Sequence, residues 1–144
     1  MTHKGKFRPK NLKKYFGKVD SITYRSSWEK KFMIYCDNNP SIVQWASEEV
    51  VIAYKSPLDN KIHRYYPDFY LKVKQKDNSY KNIIVEIKPL KQCSPPKIPK
   101  RKTIQYLNEV KTWAVNEAKW KAAKEWCADR KFEFKIITEK ELKV

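Results

Sequence analysis

The sequence has no long apolar run, no apolar segment after its basic N-terminus and no even set of closely spaced cysteines, and each absence excludes a class of protein. No apolar stretch approaches the roughly 20 residues that a helix needs to cross a bilayer, so a membrane role finds no support. The basic N-terminus is not followed by an apolar segment, which argues against a signal peptide. The cysteines Cys36, Cys93 and Cys127 are an odd number at wide spacings, which suits a reducing cytosol and gives neither a disulfide framework nor a zinc motif.

Basic residues are twice as numerous as acidic ones, which leaves a large positive charge. The chain of 144 residues has 32 Lys and Arg against 16 Asp and Glu, a formal net charge of +16 at pH 7. Such a surplus suits a polyanionic partner, and nucleic acid fits better than an anionic membrane surface. The length and the 41% hydrophobic content are those of one globular domain with a real core.

Residues 1–20 concentrate this charge. They contain seven Lys and Arg and a single acid, with aromatic residues at Phe7, Tyr15 and Phe16. We predict a basic N-terminal arm here, ordered in part or on binding, with residues 21–144 as a single domain; a solubilising tail is the alternative. The mixture of charge and aromatic rings favours phosphate contacts. The lysines predicted to make them are Lys10, Lys13 and Lys14.

A first helix is predicted from Ser27 to Asn38. Ser26 is a good N-cap, and Glu29 completes the pattern of a capping box. The expected buried stripe consists of Trp28, Phe32, Tyr35 and Cys36. Two short strands are expected next, at Ile42 to Trp45 and Glu49 to Tyr54.

Two longer strands, His63 to Lys74 and Lys81 to Lys88, form the centre of the predicted fold. If Gln75 to Ser79 closes a hairpin, position 68 lies opposite position 86. The same register places Phe69 opposite Val85 and Leu71 opposite Ile83, which makes one continuous apolar face. Asp68, Glu86 and Lys88 then converge on the other side.

This convergence has the chemistry of a metal site. Two neighbouring carboxylates, Asp68 and Glu86, repel each other unless a cation lies between them, and their oxygens suit a hard divalent ion. Such an ion activates water and stabilises charge on a phosphate, while Lys88 adds a fixed ammonium. With the basic surface, the cluster indicates cleavage of a phosphodiester bond. The alternative is a surface hairpin whose Asp, Glu and Lys have no catalytic role. The apolar residues around Glu86 argue against it, because a buried carboxylate is costly without a partner.

The chain after Lys88 is rich in proline and in lysine. Pro89, Pro95, Pro96 and Pro99 predict an extended backbone, either a linker or a clamp on the DNA backbone. The pattern from Thr103 to about Arg130 predicts either one helix or two helices, the second beginning at Asn116 as N-cap, and a last strand follows from Phe132 to Thr138. The result is a mixed α/β domain. The DNA-binding residues expected here are Lys91, Lys97, Lys100, Arg101, Lys102, Asn116 and Lys119.

These motifs resemble a known superfamily. Pro67-Asp68 with Glu86-Ile87-Lys88 is similar to the PD-(D/E)XK motif of restriction-endonuclease-like nucleases. With Arg25-Ser26-Ser27-Trp28-Glu29 on the first helix, the pattern resembles the TnsA-type nucleases. The small basic chain and its Pro/Lys segment most resemble the head completion nucleases of large tailed bacteriophages.

The resemblance implies a restriction-endonuclease-like fold, a mixed central sheet flanked by helices. It implies that Asp68 and Glu86 bind Mg²⁺, with Mn²⁺ as a substitute, and that Lys88 orients water and phosphate. Glu29 matches an acid that completes the catalytic shell, although its cap role also accounts for it. The implied substrate is double-stranded DNA with little sequence specificity. The implied setting is the host cytoplasm or the virion, with portal or head-neck proteins as partners.

Two alternatives to a head completion endonuclease stay open. One is a nuclease that resolves Holliday-type junctions, which shares the fold and the small size. The other is a DNA-binding structural head protein that keeps a nuclease fold without catalysis. Oligomeric state and the choice between nicking and double-strand cleavage also stay open.

Overall fold

The computed structural model describes residues 4–144, which form a mixed α/β structure as predicted. The strands are β1 (Gly5–Lys6), β2 (Thr23–Tyr24), β3 (Ile42–Ser47), β4 (Ile52–Lys55), β5 (Ile62–Tyr65), β6 (Phe69–Lys74), β7 (Tyr80–Ile87) and β8 (Glu133–Ile137). The α-helices are α1 (Ser27–Asn38), α2 (Ile104–Arg130) and α3 (Glu139–Leu142), with short 3₁₀ turns at Leu12–Lys14, Val19–Ser21 and Leu90–Cys93. Within the described residues, no helix has both the length and the apolar character that crossing a bilayer requires.

A mixed sheet with the strand order β3-β6-β7-β8 forms the centre of the molecule. Strand β6 is antiparallel to both β3 and β7, whereas β8 returns parallel to β7 after the long helix α2. Both faces of the sheet are covered. One core contains Phe32 of α1 with Phe69 and Val85 of the sheet. The other contains Trp120 and Ala123 of α2 beside the separate β4–β5 hairpin.

The predicted register of the central hairpin is confirmed. Phe69 pairs with Val85 and Leu71 with Ile83, and all four side chains lie in one apolar core. The connecting turn is closed by a hydrogen bond of 2.8 Å from the Gln75 N–H to the Ser79 carbonyl. Alternation along the strands therefore fixed which residues face the core.

The prediction of one strand from His63 to Lys74 is wrong. The segment Tyr66–Asp68 separates β5, which pairs with β4, from β6, which pairs with β3 and β7. Pro67 lies fully buried at the break, and its ring nitrogen has no N–H to donate to a ladder. Asp68 consequently lies directly before β6 and not within a strand.

The first helix has the predicted bounds, but its buried face is shifted. Ser26 Oγ accepts a hydrogen bond from the Glu29 N–H at 3.1 Å, which confirms the N-cap. Met33 is fully buried, whereas Tyr35 is 54% exposed and does not belong to the stripe. At 100° per residue, position 35 lies well away from the direction that positions 32, 33 and 36 share.

The long helix α2 is continuous, which decides between the one helix and the two helices that the sequence left open near Asn116. Its 27 residues span about 40 Å, begin after the N-cap Thr103 and end at Lys131 in a left-handed conformation. No proline or glycine occurs inside it, and an asparagine in a helix interior costs only a fraction of a kcal/mol. Asn116 is 7% exposed, because this part of the helix packs on the domain.

Residues 4–20, for which the sequence predicted an arm ordered in part or on binding, are part of the folded body. Phe7 and Tyr15 are buried in the core with α1 and the sheet, and Gly5–Lys6 pairs with β2. The ring of Tyr15 lies 4.7 Å from that of Trp45. The aromatic residues that suggested DNA stacking thus serve packing, although Phe16 remains 61% exposed. Residues 1–3 of the expected arm lie outside the described residues.

Lys14 ties this N-terminal segment to the end of α1. Its ammonium donates hydrogen bonds to the carbonyls of Cys36, Asp37 and Asn39 at 2.7, 2.9 and 2.8 Å. The last carbonyls of a helix have no partner within the helix and carry its negative dipole end. Lys14 therefore stabilises the C-terminus of α1, which leaves its ammonium engaged within the protein.

Lys14→Ala is expected to lower the free energy of unfolding by about 1–3 kcal/mol, because three charge-assisted hydrogen bonds are lost. Denaturant titration measures the change. Lys13→Ala removes the same charge from an exposed neighbour and is expected to change stability by less than about 0.5 kcal/mol. Equal effects of the two substitutions would contradict the structural role of Lys14.

Candidate active site

Asp68 and Glu86 are brought together by the register of β6 and β7. Asp68 precedes the Phe69–Val85 pair, so it lies beside Glu86 at the end of the ladder. Its Oδ2 accepts a hydrogen bond of 2.7 Å from the Ile87 N–H, and its backbone carbonyl accepts one of 3.1 Å from the Glu48 N–H. The first contact ties the Asp68 carboxylate to β7, which carries Glu86, and the second ties the Asp68 backbone to the residue after β3.

Glu86 is held by groups from two directions. Its side chain is buried, and Oε1 accepts a hydrogen bond of 2.6 Å from the Tyr65 hydroxyl at the end of β5. The Lys88 ammonium lies 3.7 Å from Oε2. Because the Lys88 N–H also donates to the Ile137 carbonyl at 3.0 Å, the backbone that carries this ammonium is fixed to β8.

The two carboxylates oppose each other's ionisation. Burial, and next the charge of Glu86, raise the pKa of Asp68 well above its usual range, while the Ile87 N–H lowers it. Burial also raises the pKa of Glu86, against the hydrogen bond from Tyr65 and the charges of Lys88 and Lys119. A site of this kind retains a proton or attracts a cation, since either relieves the repulsion.

Lys119 of α2 adds a second ammonium to this group. Its Nζ lies 5.5 Å from the ring centroid of Tyr65 and 5.8 Å from that of Tyr54, both cation–π distances. The hydroxyl of the same Tyr65 bonds to Glu86, so Lys119 packs on the tyrosine that contacts the carboxylate pair, and its charge lowers the pKa of Glu86. The sequence predicted Lys119 as a DNA contact; the structure places it beside the predicted catalytic residues.

Glu29 adjoins the pair from the first turn of α1. Burial raises its pKa, and its charge in turn raises the pKa of Asp68. Its carboxylate contacts the Ser26 hydroxyl at 3.3 Å and the Arg25 N–H at 3.4 Å, so it also has a capping role. Asp68, Glu86 and Lys88 therefore come together as the predicted register requires, and Glu29 acts on Asp68 through its charge from the first turn of α1.

Tyr65 and Glu48 lie near the site and were not singled out from the sequence, whereas Arg25 was named only as part of the first-helix motif. Tyr65 is the one buried residue of β5, and the pattern of that strand does not signal it. Arg25 forms an ion pair with Glu48 beside Glu29, and Glu48 has a left-handed backbone with φ of 55°. A positive φ on a glutamate is uncommon and is found at functional sites more often than elsewhere.

The predicted DNA-binding residues fall into three groups. Lys10 and Lys13 are exposed, whereas Lys14 is bonded to the end of α1. On α2, Asn116 is buried within the fold. The exposed cations of the segment after Lys88 are Lys91, Lys97, Lys100, Arg101 and Lys102. The exposed lysines and arginine remain predictions as DNA contacts.

The donor set fits a hard divalent cation that keeps most of its water. Among residues 4–144, no group of three or more His, Cys, Asp and Glu side chains is arranged to hold a metal ion. Asp68 and Glu86 supply two carboxylates, which is the number that a Mg²⁺ site commonly takes from a protein when substrate phosphate supplies the rest. Carboxylate oxygens are suitable ligands for such an ion, and the pKa of the Asp68 carboxylate is raised.

Comparisons with known proteins agree with this geometry. Residues 39–139 match the family described as TnsA-like endonuclease N terminal. The chain is 42% identical over 143 residues to the "Head completion nuclease" of Enterobacteria phage T4, across 96% of this chain and 93% of that protein. No solved structure matches the chain.

Asp68→Asn is expected to raise the thermal midpoint measured without divalent ions. Burial and the charge of Glu86 oppose the ionisation of the Asp68 carboxylate, and the substitution removes this carboxylate. The oxygen of the new amide still accepts a hydrogen bond from the Ile87 N–H. A raised pKa in the folded state means that the wild-type stability falls as pH rises above the ordinary carboxyl range. The advantage of Asp68→Asn should therefore grow in calorimetric scans as the pH is raised from the ordinary carboxyl range through the raised pKa of the folded state.

Asp77→Asn is the matched control for this prediction. Hydrogen bonds from Ser79 lower the pKa of Asp77, an exposed residue of the hairpin turn, so its ionised form favours the folded state. Its substitution should leave stability unchanged or lower it at neutral pH. A midpoint for Asp68→Asn at or below the wild-type value would show that the carboxylate pair is not in repulsion.

Proposed function

Because the chain belongs to the family of TnsA-like endonuclease N-terminal domains, we propose that it hydrolyses phosphodiester bonds in DNA with the help of a divalent cation. The observation that carries the proposal is the pair of carboxylates, Asp68 and Glu86, with the Lys88 ammonium 3.7 Å from Glu86. The net charge of +16 suits a DNA substrate. The described chain is proposed to act as a single nuclease domain.

Asp68 and Glu86 are proposed to hold Mg²⁺, with Mn²⁺ as a substitute. When bound, such an ion makes a nucleophile from water at neutral pH and stabilises the charge on the phosphate. Tyr65 keeps one oxygen of Glu86 in place through its hydrogen bond of 2.6 Å. Lys88 and Lys119 favour the ionised form of Glu86, which is the form that binds a cation.

Lys88 is proposed to act on the reacting groups as well. Its ammonium extends from the end of β7, with its backbone bonded to β8, and its side chain is 26% exposed. From there it orients the attacking water or neutralises the charge that develops on the scissile phosphate. Glu29, half-buried beside Asp68, is proposed to complete the polar shell around the water.

The biological role is proposed to be completion of a phage head. A relative with 42% identity across nearly its whole length is named "Head completion nuclease". We propose that this chain processes packaged double-stranded DNA in the infected cell, with little sequence specificity, near portal or head-neck proteins. The exposed cations after Lys88 are proposed to hold the DNA backbone beside the catalytic cluster.

Lys88→Ala is expected to slow plasmid cleavage in Mg²⁺ by about 100-fold or more, because the fixed charge next to the phosphate is lost. Asp68→Ala and addition of EDTA are each expected to abolish cleavage. Gel electrophoresis of a supercoiled plasmid measures nicking and linearisation together. Lys76→Ala removes the same charge from the exposed turn at the other end of the hairpin and should cleave at the wild-type rate.

The outcome also separates the other candidate functions. Cleavage that survives Asp68→Ala or Lys88→Ala would overturn the site. Salt-sensitive DNA binding without strand breaks in any divalent ion would indicate a structural head protein. A strong preference for four-way junctions, from a dimeric protein, would indicate a junction-resolving nuclease.

Replacement of Lys97, Lys100 and Lys102 together by alanine is expected to weaken binding to DNA of any sequence. If each contacts a phosphate, the slope of log Kobs against log salt should fall by about 0.9 per residue, since fewer counterions are released. Fluorescence anisotropy across a salt series measures the slope. Replacement of Lys55, Lys61 and Lys76, exposed lysines elsewhere on the surface, is the control with the same charge change. Equal slopes in the two triple variants would contradict the assignment.

A further inference from the structure

A groove lies between the N-terminal half of α2 and the segment that follows Lys88. Its volume is about 960 Å³, near the upper end of the range found for small-molecule sites. One wall contains Lys91, Pro95 and Pro96, and the other contains Ile104, Asn108 and Trp113. The proposed catalysis does not use this groove.

The walls combine flat apolar surfaces with amide groups. Pro95, Pro96 and Trp113 are rigid, and Trp113 packs edge-on against Trp120 with ring centroids 6.0 Å apart. Gln105 and Asn108 add amides that both donate and accept hydrogen bonds. Aromatic faces stack on nucleobases and amides pair with their edges, so the groove has the chemistry of a base-binding site.

The charge at the groove selects an anionic ligand. Lys91 and Lys97 lie in its lining, opposed only by Glu109 among the described lining residues. The segment continues with exposed cations up to Lys102. A nucleotide strand places its bases against the apolar walls and its phosphates against these lysines, an arrangement typical of single-strand binding.

The groove also adjoins the proposed active site along both of its walls. On one side the chain passes from Lys88 to Lys91 within three residues. On the other side Asn116, in the lining, is three residues before Lys119, a rise of about 4.5 Å along the helix. A strand cut at Asp68 and Glu86 therefore passes close to the groove.

We infer that this groove binds unpaired bases of the DNA strand next to the scissile phosphate, so that the protein favours DNA with single-stranded or frayed ends. The inference rests on the proposed nuclease function and adds a preference for DNA structure. An acidic protein segment is disfavoured as the occupant, because the lining is built from ring faces and amides and its charge suits a regular phosphate backbone.

The test measures affinity for a duplex with and without a short unpaired tail, in Asp68→Ala protein without divalent ions. In this background the tail should strengthen binding about tenfold, which corresponds to stacking of about one base. Asn108→Glu places a carboxylate in the groove and should remove the advantage of the tail. Leu107→Glu makes the same charge change at an exposed neighbour outside the lining and should preserve it.

A second variant tests stacking itself. Trp113→Leu keeps an apolar side chain but removes the ring, and it should reduce the quenching of a fluorescent adenine analogue placed in the tail. Trp126→Leu, near the other end of the same helix, is the control. Two results would overturn the inference if the protein with Asp68 intact still cleaves plasmid. One is an equal loss of tail binding in Asn108→Glu and Leu107→Glu, and the other is a tail that does not strengthen binding at all. Absence of all DNA binding and cleavage would instead overturn the proposed function.

Discussion

The close approach of the Asp68 and Glu86 carboxylates is the constraint on which the other contacts of the site depend. Two like charges in a partly buried position are unfavourable, and burial raises the pKa of both groups. The surrounding structure counters this with the Ile87 N–H at 2.7 Å from Asp68 and the Tyr65 hydroxyl at 2.6 Å from Glu86. Each donor comes from a different strand, so the pair exists only when the strands are assembled.

The two cores on either side of the sheet keep those strands in place. The core with α1 fixes the pairing of β6 and β7, and it also positions Glu29 at the rim of the site. The core with α2 brings Lys119 over Tyr65. The site thus receives one carboxylate from the first helix and one ammonium from the second.

Much of this arrangement was predictable, because it depends on alternation and local capping. The hairpin register, the bounds of α1 and the meeting of Asp68, Glu86 and Lys88 follow from period-two patterning and from the Ser26 cap. The failures have physical reasons as well. Pro67 divides the expected strand between two sheets, and Tyr15 is buried although its neighbours are charged. At Asn116, where the sequence left one helix or two open, α2 continues, because packing of the helix overrides a weak local preference.

The sequence by itself determined the chemistry of this protein: a strongly basic chain with two carboxylates and a lysine on adjacent strands, recognisable as a nuclease pattern. Only the tertiary structure decided what surrounds those groups. Tyr65, Lys119 and the carbonyls bonded by Lys14 are distant in sequence from the groups they contact. Their contacts arise where separate elements pack, and strand and helix periodicity describes each element alone. The tertiary structure therefore decided which groups contact the two carboxylates and the lysine of the site.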